Sequence, residues 1–120
     1  ITTGDGDDII KGEGGVASTI IAGEGDNTIE TDAGIDTINT GSGNDRIESG
    51  DGASTIVTTG GNNYILTGNG IDTILVGGVA DIILAGDDAT SIPDLVADNL
   101  FLSLAGRATV LLDDGNNLIT

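Results

Sequence analysis

Twenty Asp and Glu side chains stand against three Lys and Arg in this 120-residue chain, and many of the acids recur at a fixed interval. Such a stock of hard oxygen donors suits a divalent cation of the calcium or magnesium kind. The formal charge of −17 argues against nucleic acid, whose binders need basic patches to displace counterions. His and Cys are absent, which removes zinc fingers, haem and iron–sulfur ligation through those residues, thiol catalysis, disulfides and a Ser-His-Asp triad. Polysaccharide chemistry on paired carboxylates needs an aromatic platform or a basic residue set, and Tyr64, Phe101, Lys11, Arg46 and Arg107 are the entire supply. The chain is expected not to be an enzyme.

A nine-residue period positions the acids. Steps of nine from Ile20 meet Ile29, Ile38, Ile47, Ile56, Ile65, Ile74, Ile83, Ile92, Phe101, Val110 and Ile119, without one polar residue. The series extends back through Ile10 and Ile1 if one residue of Lys11-Gly12-Glu13 is an insertion. With this residue placed eighth, Gly recurs at positions two and four, and Asp or Asn at position six. Gly at both positions permits the positive φ of a tight turn, and the tripeptide around position eight makes a three-residue strand with one side chain inward. Two nonapeptides close a coil of 18 residues with strands on opposite walls. The chain is therefore an all-β parallel solenoid of about six to seven coils, roughly 30 Å long at ~4.8 Å per coil. Two facing rows of Ile make a thin interior, so backbone ladders and a metal must carry much of the stability.

The units TGDGDDIIK, TGSGNDRIE and TGNGIDTIL resemble the GGxGxDxUx nonapeptides of RTX proteins, and the resemblance runs over essentially the whole chain. It implies a right-handed parallel β-roll, with several calcium ions held between successive turns of one wall by position-six Asp side chains and turn carbonyls. The matching residues are Asp8, Asp36, Asp45, Asp72 and Asp81, with turn glycines such as Gly4, Gly6, Gly41, Gly43, Gly68 and Gly70. The chain departs from the family pattern in an orderly way. Position six reads Asp8, Asn27, Asp45, Asn63, Asp81, Asn99, Asn117 on one wall and Ser18, Asp36, Ser54, Asp72, Thr90, Ala108 on the other. Each same-wall gap from Asp8 to Asn99 and from Ser18 to Thr90 then holds one position-six carboxylate, with Asn27 and Asn63 adding neutral oxygens. Such sites are weaker than full-consensus ones and fill at millimolar calcium. The competing reading is a wholly or partly metal-free solenoid, in which Asn and Ser hydrogen-bond along the stack. Charge favours metal, since acidic turns about 5 Å apart repel without it.

Residues 1–84 form the regular array. Residues 85–120 are degenerate repeats that continue or cap the same single domain, with an irregular loop near Gly86–Asp94, where Pro93 removes a ladder donor. Position nine faces outward and turns apolar in the second half, through Val57, Leu66, Leu75, Leu84, Leu102 and Leu111, which predicts packing against another domain or subunit. On one wall, position seven carries Thr19, Thr37, Thr55, Thr73, Ser91 and Thr109, outward β-branched and hydroxyl residues at the start of each strand. The chain starts and stops in the same phase without a cap, so either the array continues in a longer protein or rolls meet end to end. No run is long enough to span a membrane. The expected function is that of a calcium-binding structural segment of a large extracellular or cell-surface protein (surface layer, adhesin or surface fibril), folded and stiffened by calcium. The alternative is a calcium-triggered folding and secretion appendage of an exported enzyme or toxin.

Overall fold

Short strands rich in Ile and Thr alternate with glycine-rich turns, and each strand pairs with the strand two ahead rather than with the next. The computed structural model describes residues 1–78 and 80–85 in full; from 86 onward it describes only the backbone of four strands. One sheet has the order β1 (Ile9–Gly12), β3 (Thr28–Thr31), β5 (Arg46–Ser49), β7 (Tyr64–Thr67), β9 (Ile82–Ala85), β11 (Leu100–Ser103), β13 (Leu118–Ile119). The facing sheet contains β2 (Thr19–Gly23), β4 (Thr37–Thr40), β6 (Thr55–Val57), β8 (Thr73–Leu75), β10 (Thr90–Ile92) and β12 (Thr109–Val110). Every pairing is parallel, and the ladders align Ile10, Ile29, Ile47, Ile65 and Ile83 on one wall and Ile20, Ile38, Ile56 and Ile74 on the other. This is the two-walled parallel β-solenoid that the nine-residue period predicts. Lys11 pairs with Glu30 and Gly12 with Thr31, so the inserted residue falls beyond Gly12, in a turn where Gly14 and Gly15 both take positive φ.

Three expectations are corrected. First, most strands are longer than three residues and bury two side chains, because in a strand the residue two places on shares a face. Position one is therefore a second inward row, made of Ala22, Thr31, Thr40, Ser49, Thr58, Thr67, Val76 and Ala85. The core is a row of Ile beside a row of small, partly hydroxylic residues. Second, positive φ is not shared by every turn glycine. Position-four glycines such as Gly6, Gly25 and Gly43, and Gly14 and Gly23 at position two, hold positive φ, whereas Gly41 does not and is required by close approach, a Cβ there falling 2.7 Å from the Gly23 carbonyl oxygen. Third, Ile92 is not in register with Ile74. β10 aligns Ser91 with Ile74 and Val110, and Ile92 with Leu75, because the coil before it is one residue short and the next is one long. The position-seven ladder consequently passes through Thr90, not Ser91. Pro93 and most of the loop expected over Gly86–Asp94 lie outside the described residues.

Gly43→Ala tests the stacking directly. Gly43 has φ 135°, and an added Cβ would collide with the Gly25 carbonyl of the coil beneath. A loss of about 2–4 kcal/mol is expected from strain and clash together, read from denaturant unfolding at fixed calcium. Gly4→Ala, with nothing within 4 Å of the new Cβ, should cost far less.

Candidate metal centre

Stacking by coils brings the position-six residues into two columns, one at each edge of the roll. In one, Asp45, Asn63, Asn27 and Asp81 are 1–2% exposed; in the other, Asp36, Ser54 and Asp72 are equally buried. Asp8 and Ser18, at the first turns, are half-buried. All five acids carried over from the repeat pattern thus sit in the turn interiors.

Most Asp and Asn side chains in these columns use one oxygen along the stack. The backbone N–H of Ser18 donates to Asp36 Oδ1 at 2.7 Å, that of Asn27 to Asp45 Oδ1 at 3.0 Å, that of Ser54 to Asp72 Oδ1 at 2.8 Å and that of Asn63 to Asp81 Oδ1 at 2.8 Å. Asn side chains accept in the same way, from Asp8 N–H at 3.1 Å and Asp45 N–H at 3.0 Å. A second, exposed ladder runs beside this one: Asp7 Oδ1 accepts from Asp26 N–H at 2.8 Å, and Asp26 Oδ1 from Asn44 N–H at 2.7 Å. The stacking bonds of the metal-free reading are therefore present, and they satisfy one oxygen of Asp36, Asp45, Asp72 and Asp81.

The other oxygen is what bears on metal. Oδ2 of Asp8, Asp36, Asp45 and Asp72 is buried with no hydrogen-bond partner. The position-one hydroxyls of Thr31, Thr40, Ser49 and Thr67 are also buried and unbonded, Thr40 lying beside Asp45 and Thr67 beside Asp72. Burial pushes the Asp45 carboxyl above the usual carboxylate range, against the Thr40 hydroxyl and the donors of Asn27, which draw it down. The Thr40 hydroxyl biases the carboxyl by proximity while stopping short of hydrogen-bond geometry. Asp72 is raised by burial in the same way, opposed by Ser54 N–H and the Thr67 hydroxyl. A buried carboxylate oxygen without a donor is unfavourable unless it is protonated or faces a cation.

The donor set fits a hard cation. It consists of carboxylate, hydroxyl, amide and backbone oxygens, without nitrogen or sulfur ligands. Among the described residues no three carboxylates converge on one point, so a shell here must draw on turn carbonyls and neutral side chains beside a single Asp. The position-one hydroxyls were missed in the sequence reading, although strand alternation two residues past each position-eight Ile marks them.

The turn glycines named with the acids are placed in register. The carbonyls of Gly4 and Gly6 face Gly23 and Gly25 of the next coil, Gly41 and Gly43 stack on that pair, and a Cβ on Gly68 would fall 2.5 Å from Asp51 Oδ1. Gly70 stacks likewise on Gly52. Of the outward apolar residues, Leu75 is 43% exposed and Val57, Leu66 and Leu84 are half-buried. The side chains of Leu102 and Leu111 lie outside the described residues. Among the described residues no helix is long and apolar enough to cross a membrane.

The raised carboxyls set the pH response of the calcium-free chain. A folded-state pKa above the unfolded value near 3.9 makes the contribution of Asp45 and Asp72 most favourable below that value and removes it as pH rises through the folded one. Chelator-treated chain is therefore expected to gain strand signal as pH falls from neutrality toward about 4, and calcium affinity to weaken over the same interval. Circular dichroism across that range reads both; a chelated chain that loses structure on mild acidification contradicts the assignment.

Comparison with known proteins adds one finding. Residues 1–16 and 21–56 match the RTX calcium-binding nonapeptide repeat, in four copies. No curated protein and no solved structure matches the chain. Strands β7 to β9 continue the same register past the matched residues. In-register Ile rows, stacked glycine turns and buried position-six acids all fall at the spacing of the RTX calcium-binding nonapeptide repeat that residues 1–16 and 21–56 match.

Proposed function

We propose that the chain is a structural segment of a large extracellular surface protein, a rod that calcium folds and stiffens. The observation that carries this reading is the set of buried, donor-less carboxylate oxygens on Asp8, Asp36, Asp45 and Asp72, repeated along both edges of the roll. A chain of charge −17 with its acids drawn into stacked turns is self-repelling until cations arrive. At the sub-micromolar calcium of a cytoplasm it stays unfolded and can be exported; at the millimolar calcium outside, binding to the folded turns alone drives folding. RTX repeats are typical of secreted proteins, in keeping with that compartment.

The outward columns support a role in assembly. Val57 pairs with Leu75, and Leu66 with Leu84, which pairs in turn with Leu102, so the apolar position-nine residues line up along each wall as an interface requires. Antibody raised against this chain should label intact, unpermeabilised source cells, with the label released by chelator. Signal found only in culture medium, on a species carrying a catalytic domain, contradicts the surface role and favours an export appendage.

A further inference from the structure

Two turns in the Asp8–Asp81 column differ from their neighbours in the atom at their centre. The Asn27 side-chain nitrogen donates to the Gly25 carbonyl at 2.9 Å and to Asp45 Oδ1 at 3.1 Å, and lies 3.4 Å from the Gly23 carbonyl. The Asn63 nitrogen donates to Thr58 Oγ1 at 3.1 Å, to the Gly60 carbonyl at 3.2 Å and to Asp81 Oδ1 at 2.8 Å. In both, oxygens from the residue's own repeat and a carboxylate from the next coil converge on one positively polarised nitrogen. That is the oxygen environment a cation between two coils would require.

The orientation of each amide is fixed from its other side. Asn27 Oδ1 accepts the N–H of Asp8 and Asn63 Oδ1 that of Asp45, which leaves the nitrogen as the atom facing the convergent oxygens. Both side chains are 1–2% exposed, so no solvent substitutes for these bonds. At Asp45 one oxygen likewise serves the neighbouring coil, accepting both the backbone N–H and the side-chain amide of Asn27. Its second oxygen, Oδ2, occupies the place of the Asn nitrogen and is buried without a donor. Turns of the same build thus present a donor at Asn27 and Asn63 and an unsatisfied acceptor at Asp8 and Asp45.

We propose that the Asn27 and Asn63 amides are built-in cation surrogates, closing their own turns without metal and confining calcium, among the described turns of this column, to those of Asp8 and Asp45. The inference rests on the calcium reading above and narrows it: alternation of Asp and Asn halves the ion sites of this column and lowers the calcium that the roll needs in order to fold. An ion at an Asn turn would have to displace a nitrogen already bonded to the oxygens it needs. Replacement by Asp removes that obstacle.

Calorimetric calcium titration of wild type, Asn27→Asp, Asn63→Asp and Asp45→Asn, each also followed by circular dichroism, tests this. Each Asn→Asp variant is expected to bind one more ion than wild type and to need more calcium before strand signal appears. Asp45→Asn is expected to bind one ion fewer and to need less calcium before strand signal appears. A wild-type chain that takes up no calcium overturns the underlying reading and this one with it. A wild-type chain that binds calcium, while both Asn→Asp variants keep its stoichiometry, overturns the surrogate role alone. Should those variants fail to fold even in calcium, Asp45→Asn decides, since an unchanged ion count there overturns the proposal.

Discussion

Each tenfold rise in free calcium through the millimolar range is expected to raise the melting temperature of the chain by on the order of 20 °C. The size follows from linkage. An ion that binds only the folded state adds about 1.4 kcal/mol per tenfold increase in its concentration above Kd. One ion at each turn bearing a buried donor-less carboxylate, those of Asp8, Asp36, Asp45 and Asp72, multiplies this to about 5–6 kcal/mol. That rivals the whole stability of a typical domain, ~5–15 kcal/mol. A small domain shifts by at least about 4 °C per kcal/mol. Scanning calorimetry from about 0.1 to about 10 mM calcium, at constant ionic strength, reads the slope. A melting temperature indifferent to calcium would mean that the stacking bonds through Oδ1 suffice.

Ile47→Ala is the substitution expected to cost most among single core truncations, about 3–5 kcal/mol at saturating calcium. Ile47 is fully buried, stacked between Ile29 and Ile65 on its own wall. The interior is one Ile row and one small-residue row per wall, so no second apolar layer can collapse into the gap. Repeats contact only their neighbours, so a weakened central coil uncouples the two halves of the array. The outward Leu75, 43% exposed, is the control: Leu75→Ala should stay within about 0.5 kcal/mol. Denaturant unfolding of both variants makes the comparison. Equal losses would place the core elsewhere.

The reach of the sequence reading follows from the physics of the repeat. An unbroken Ile series at nine-residue steps dictates two facing walls, because any other phase exposes that row, and the parallel ladders lie where the period puts them. The turn acids were legible for the same reason: their spacing follows the Ile. What escaped was local. The inward hydroxyls of Thr31, Thr40 and Thr67 look like surface residues in composition, and only strand alternation places them inside. Gly41 and Gly43 are alike in sequence, yet one answers to a neighbouring carbonyl alone and the other to both a carbonyl and φ, a distinction that appears only once coils are stacked. The shift at Ser91 arises because a turn one residue short moves a strand's register without altering its composition. The split between a bonded Oδ1 and a bare Oδ2 on Asp36, Asp45 and Asp72 belongs to side-chain geometry, which a period does not encode.

The most direct test of the account is a calcium titration of chelator-stripped chain, followed together by far-ultraviolet circular dichroism and calorimetry, with magnesium as control. The account predicts cooperative appearance of strand signal with uptake of several calcium ions per chain, reversal by chelator, and little response to magnesium, whose tight octahedral demand the stacked turns do not meet. A strand spectrum already complete in chelator and unchanged by calcium would contradict it, leaving the Asn, Ser and Ile ladders as the whole basis of the fold.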